Sequence, residues 1–133
     1  MKTLGRHLLI EFYDCDTSIL NEPEAIEAMM KKAAVESGAT IVSVHTNLFN
    51  PHGVSGVVVI AESHITIHTW PELGYASVDA FTCGDSVDPW KIKDCLESTL
   101  KSKRVEAIEL KRGLFSPAQL AKNFGTQDFY TTK

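Results

Sequence analysis

A serine, two histidines and a cysteine able to do chemistry fall close together as Ser63, His64, His68 and Cys83, with Glu62, Trp70 and Glu72 among them. A hydroxyl or thiol near an imidazole can act as a nucleophile, and an imidazole or thiol can move a proton. Each also has an ordinary reading. Ser63 suits a solvated turn, His68 a strand position that bonds its ring nitrogens, Cys83 a small buried hydrophobe, and Trp70 a core filler. His64 and His68 invite a metal reading, but a strand rising about 3.3 Å per residue sets them roughly 13 Å apart. They cannot share one zinc ion unless the segment is helical, and no metal is expected.

The elements around these residues alternate. Residues 64–70 place His64, Thr66, His68 and Trp70 on one face and Ile65, Ile67 and Thr69 on the other. After the turn Pro71-Glu72-Leu73-Gly74, residues 75–83 place Tyr75, Ser77, Asp79, Phe81 and Cys83 on one face and Ala76, Val78 and Ala80 on the other. Glu62-Ser63 separates an aliphatic run from the strand at His64, so a hairpin turn or bulge is expected there without Gly or Pro, which implies strain.

The remaining pattern gives a strand over residues 7–13, then a helix capped by Asn21 with Ile26, Met29, Met30 and Ala33 at helical spacing up to Gly38. Strands follow over 39–44 and 54–60, on either side of a turn at Asn50-Pro51-His52-Gly53. Asp88-Pro89 opens a second helix with Trp90, Lys93, Leu96 and Leu100 along one stripe, and residues 104–110 form a last strand. Beyond Gly113 no periodicity is clear. Two helices cover one face of a mainly antiparallel sheet, so the fold expected is an α+β, two-layer α/β sandwich whose other face is left for a partner or ligand.

With 133 residues and 44% hydrophobic content, the chain suits one domain spanning residues 1–133. Thirteen Lys and Arg against 17 Asp and Glu give a net charge of -4 without a basic cluster, which argues against a nucleic-acid partner. Cys15, Cys83 and Cys95 are odd in number and scattered, as suits a reducing compartment. The amino terminus lacks the form of a signal peptide or membrane span, so a cytoplasmic location and no membrane partner are expected.

Taken in order, Gly53-Val-Ser55-Gly56, Glu62-Ser63-His64, Thr66-Ile67-His68-Thr69-Trp70-Pro71-Glu72 and Phe81-Thr82-Cys83-Gly84 resemble the signature of the prokaryotic S-adenosylmethionine decarboxylases. The likeness runs from Leu4-Gly5-Arg6-His7 to Asp88-Pro89-Trp90, about two thirds of the chain. One departure is Asn47, where members of that family often carry a histidine; its role is left open.

The resemblance implies a proenzyme that cuts itself at Glu62-Ser63 into residues 1–62 and 63–133 and turns Ser63 into a pyruvoyl group. It further implies His68 as the processing base, Ser55 as its assistant, and Cys83 as the proton donor in decarboxylation. The pyruvoyl carbonyl would form a Schiff base with S-adenosylmethionine and act as the electron sink that no ordinary side chain supplies. The product would be the aminopropyl donor of spermidine biosynthesis. Phe49 and Trp70 are candidates to hold the adenine and sulfonium, and Glu72 the ribose. The mixed face of His68, Trp70, Phe81 and Cys83 points to a homodimer with sites near the subunit boundary.

Two other readings stay open on the residues alone. One is a non-enzymatic α/β binding or assembly module in which these side chains only pack. The other is a hydrolase with Cys83 as nucleophile and His68 as base.

Overall fold

The structure is a computed structural model that describes residues 2–49, 51–124 and 130–131. In chain order the elements are β1 (Lys2–Tyr13), α1 (Thr17–Leu20), α2 (Pro23–Glu36), β2 (Ile41–Leu48), β3 (Val54–Ile60), β4 (Ser63–Trp70), a 3₁₀ turn (Pro71–Leu73), β5 (Tyr75–Cys83), α3 (Pro89–Leu100), β6 (Arg104–Phe115), α4 (Pro117–Phe124) and β7 (Tyr130–Thr131). Six strands lie in the order β2-β3-β4-β5-β1-β6, with β7 pairing β1, and every pair is antiparallel.

Alternation along the strands builds the core on one side. Leu8, Ile10 and Phe12 of β1, Val54 and Val58 of β3, Ile65 and Ile67 of β4, and Ala76, Val78 and Ala80 of β5 are buried against α2 and α3. The helices contribute Ile26, Met30, Ala33, Ile92, Leu96 and Leu100. Fully burying a side chain of leucine or isoleucine size contributes about 1.5–3 kcal/mol, so this stripe holds the two layers together. The expected two-layer sandwich is therefore present, with α2 and α3 on one face of the sheet. No helix among the described residues is long and apolar enough to cross a membrane.

Several local expectations differ. Asn21 does not cap α2; that position belongs to Glu22, and the Asn21 side-chain oxygen accepts from the Gly53 amide at 2.8 Å, tying the loop before β3 to the start of the helix layer. The buried stripe of α3 is Ile92, Cys95, Leu96 and Leu100, whereas Trp90 is exposed and Lys93 half-buried. Trp90 turns outward because its indole N–H donates to Glu109 at 2.9 Å, and Lys93 pairs with Glu97 at 2.7 Å. The strand expected over 39–44 begins at Ile41 and runs to Leu48, and β1 and β6 are both longer than expected. The short helix α1 and the elements after Gly113 lacked any periodic signal. Of the turn expected at residues 50–53, Asn50 lies outside the described residues.

On the helix side, Glu109 collects Arg6 at 2.6 Å, the Trp90 indole and Lys111 at 3.1 Å. Burial alone would push its carboxyl up, but the hydrogen bonds from Arg6, Trp90 and Lys111 outweigh it and hold Glu109 down at about 2. This cluster ties β6 to β1 and to the first turn of α3, and the charge stays on Glu109 throughout the neutral range.

Candidate active site

Between β3 and β4 the chain reverses over Ala61 and Glu62 alone, with Ile60 paired to Ser63. Two-residue hairpins favour residues that accept positive φ, usually Gly or Asn. Here no glycine is present, and Ser63 carries φ +149°. A residue with a Cβ is rarely found there, so backbone strain sits on the residue that follows the Glu62 carbonyl. The strain expected from a turn without Gly or Pro is thus located at Ser63.

The same carbonyl is already held. The Cys83 amide donates to Glu62 O at 3.0 Å, and the Glu62 carboxylate accepts from the Thr40 amide at 3.2 Å. A carbonyl fixed by a backbone donor is prepared to accept negative charge on its oxygen, as in any acyl transfer. Ser63 Oγ is 3.4 Å from Nδ1 of the adjacent His64. Cys83 ends β5 with an exposed side chain, and partial burial by its surroundings pushes its thiol up, so the sulfur keeps its proton at neutral pH. Beside it, Gly84 has open space where a side chain would stand.

A second group of residues occupies the other end of the same strands. Ser55 on β3 stands opposite His68 on β4, and Ser55 Oγ and His68 Nδ1 are hydrogen-bonded at 2.7 Å. Phe49, His52, Ser55, His68, Trp70 and Glu72 line a hollow of about 260 Å³. Glu72, on the 3₁₀ turn, pairs with His52 at 2.7 Å. Trp70 is stacked on Tyr75 with ring centres 5.1 Å apart, and Tyr75 on Tyr13 at 5.3 Å. The Tyr75 hydroxyl donates to Glu11, and burial together with that carboxylate keeps it protonated well above the ordinary tyrosine range.

The residues singled out from the sequence therefore fall into two clusters. Glu62, Ser63 and Cys83 share one end of the β4–β5 pair; Phe49, Ser55, His68, Trp70 and Glu72 share the other. Ser63 and His68 are five positions apart on one strand, a span of about 16 Å. Within one chain, His68 does not reach the Glu62-Ser63 bond.

Sequence reasoning passed over several residues that shape these clusters. In the sequence His52 and Tyr75 stand as turn and strand residues, and only the fold sets them against Glu72 and Trp70. On the open face, Thr66 donates to Asp79 at 3.1 Å, and Arg112 donates to His7 Nδ1 at 2.9 Å. That leaves the His7 Nε2–H to donate to Asp79 at 3.0 Å. The ring of Phe81 packs against His7 at 5.3 Å and His64 at 5.7 Å between the network and Ser63. Such links across four strands leave no local signal in the sequence.

Residues 6–113 match the family model described as S-adenosylmethionine decarboxylase. The chain is 58% identical to the S-adenosylmethionine decarboxylase proenzyme of Thermosipho melanesiensis, over 92% of this chain and 95% of that protein. It is 59% identical to the proenzyme of the same name from Thermotoga maritima, over 86% of this chain and 88% of that protein. The crystal structure of the adenosylmethionine decarboxylase from Aquifex aeolicus superposes with a TM-score of 0.83 at 38% identity, covering 88% of this chain and 97% of that one. With the family model spanning most of its length and relatives this similar over nearly all of theirs, the chain belongs to the S-adenosylmethionine decarboxylase family.

Proposed function

We propose that this chain is a proenzyme that cuts itself between Glu62 and Ser63 and then decarboxylates S-adenosylmethionine, using a pyruvoyl group made from Ser63. The observation that carries this reading is the backbone at the bond to be cut: a non-glycine residue at φ +149° follows a carbonyl already bonded by the Cys83 amide. Strain favours opening of the peptide, and the amide steadies the oxygen that becomes negative. Intact-mass measurement of the purified protein tests it, since cleavage yields residues 1–62 and 63–133.

The cleavage chemistry balances with the chain's own groups and water. Ser63 Oγ bonds to the Glu62 carbonyl carbon, the C–N bond breaks, and the serine proton passes to the freed nitrogen, leaving an ester. A base removes the Cα proton of residue 63, and the ester oxygen departs with Glu62 as a carboxylate. Water then replaces the nitrogen, which leaves as ammonia. His68 is the base assigned to the elimination, its ring oriented by Ser55.

Because His68 lies about 16 Å from Ser63 along its own strand, this role requires a partner protomer. The open face of the sheet supports such a partner: Val59, Ile108 and Leu110 stand there exposed, Ile108 at 62%. A face that mixes exposed aliphatic side chains with the Thr66–Asp79–His7–Arg112 network suits burial between two copies of the chain, which form a homodimer in which Ser55 and His68 of each protomer serve the Glu62-Ser63 bond of the other.

The surroundings of residue 63 fit a small keto group, with the Cys83 thiol at the same strand end and open space at Gly84 beside it. The pyruvoyl group supplies a carbonyl that takes up the electron pair released as carbon dioxide leaves. Cys83, protonated at neutral pH, holds the proton that the substrate carbon then requires. Phe49 and Trp70 hold the adenine and the sulfonium. Glu72, fixed by His52, accepts from the ribose hydroxyls.

Phe49→Ala and Trp70→Ala are each expected to raise KM for S-adenosylmethionine roughly two- to twelvefold with little change in self-cleavage, since a stacked ring is worth about 0.5–1.5 kcal/mol beyond its buried area. Steady-state kinetics on fully cleaved protein reads this directly. Unchanged KM in both variants removes the adenine clamp from the account.

A further inference from the structure

Thr82 is fully buried on β5, and its Oγ1 has no hydrogen-bond partner among the described residues. The other buried hydroxyls are satisfied. Thr3 donates to backbone carbonyls, Ser37 donates to Ala34 O at 2.7 Å, and Thr69 donates to Leu20 O at 2.7 Å while accepting from the Val54 amide. A buried hydroxyl without a partner is destabilising, and a valine of the same shape would remove the penalty. Its position supplies a reason for keeping it. Thr82 stands directly opposite Ser63 in the β4–β5 register. Since the Cys83 amide bonds the Glu62 carbonyl, the next pair, Ser63 and Thr82, is a non-hydrogen-bonded one, where facing residues approach most closely.

Ser63 Oγ now rests 3.4 Å from His64 Nδ1, long for a hydrogen bond from a hydroxyl. We propose that Thr82 acts directly in the first step of self-cleavage: as Ser63 turns away from His64, its hydroxyl donates to Thr82 Oγ1, which aims the Ser63 oxygen at the Glu62 carbonyl carbon. The bond from Ser63 Oγ to that carbon forms, the C–N bond breaks, and the serine proton ends on the freed nitrogen, with Thr82 unchanged. The orphaned hydroxyl of the precursor thus gains its partner only as the reaction begins, so the contact favours the transition state over the resting chain. The inference rests on the cleavage reading above.

The test follows intact mass over time for freshly made native chain, Thr82→Val and Thr82→Ser, with and without hydroxylamine, which cuts a chain wherever an ester has formed. Thr82→Val should be cleaved about tenfold or more slowly, as loss of a directing hydrogen bond implies. Thr82→Ser should stay near the native rate, and hydroxylamine should not rescue Thr82→Val because formation of the ester is itself the slowed step. Combined with Ser63→Ala to keep the chain whole, Thr82→Val should melt no lower than Ser63→Ala alone. The proposal is overturned by native-rate cleavage of Thr82→Val, by its prompt cleavage in hydroxylamine, or by a lowered melting temperature, which marks a structural role. A native chain that stays whole overturns the cleavage reading and this inference with it; a native chain that is cut beside an equally fast Thr82→Val overturns the role of Thr82 alone.

Discussion

Ser63→Ala is expected to remain one chain of 133 residues and to show no decarboxylation of S-adenosylmethionine. The oxygen that attacks Glu62 and the carbon skeleton that becomes the pyruvoyl group belong to the same residue, so one substitution removes both the nucleophile and the cofactor's source. Folding should survive it. The alanine keeps the Cβ, and among the described residues the hydroxyl makes one hydrogen bond, the long contact to His64. A denaturing gel and an assay for released carbon dioxide are sufficient, with circular dichroism to verify the fold. Efficient cleavage of this variant would remove Ser63 as the nucleophile.

The second large effect concerns where His68 acts. His68→Ala should cut itself about 10²–10⁴-fold more slowly than the native chain, the usual worth of a positioned base. If His68 serves the partner's bond, co-expression of His68→Ala with Ser63→Ala should restore cleavage, though each fails alone. In a mixed dimer the intact Ser63 belongs to the His68→Ala chain and the intact His68 to the Ser63→Ala chain, so one bond is complete. Only the His68→Ala chain should be cut, which mass spectrometry distinguishes. Cleavage of neither chain in a verified mixed dimer would place His68 and Ser63 in the same protomer's reaction and contradict the strand geometry.

Much of this arrangement is legible in the sequence, for a physical reason. Strands with one buried face alternate strictly, so residues 64–70 and 75–83 declared their inward and outward sides, and the structure has Ile65, Ile67, Ala76, Val78 and Ala80 buried as that pattern requires. A hairpin was visible as two strands with nothing permissive between them, although the turn falls on Ala61-Glu62, one residue before the Glu62-Ser63 pair that the pattern suggests, and Ser63 already belongs to β4. What remained hidden depends on contacts between distant segments. Asn21 has the chemistry of a helix cap, but the Gly53 amide takes its oxygen. Trp90 has the hydropathy of a core residue, but Glu109 on β6 offers its indole a partner at the surface.

The same distinction applies to the site. The motifs marked Ser55, Ser63, His68, Trp70, Glu72 and Cys83 individually, but sequence adjacency suggested one cluster where the sheet makes two. Ser63 and His68 are neighbours in the chain yet sit at opposite ends of β4, because an extended strand separates residues that a turn or helix would gather. Thr82 lies within Phe81-Thr82-Cys83-Gly84, but nothing in that motif gives its side chain a role. A buried threonine on a strand is ordinary, and it is the lack of a partner for its oxygen among the described residues that sets it apart.

The most direct test of the central claim is the intact mass of the native protein under denaturing conditions. Two chains are predicted, residues 1–62 ending in a free Glu62 carboxylate and residues 63–133, the latter lighter by one ammonia than the same peptide beginning with serine. A single uncut chain, or a 63–133 chain that begins with an unmodified serine, would contradict the account.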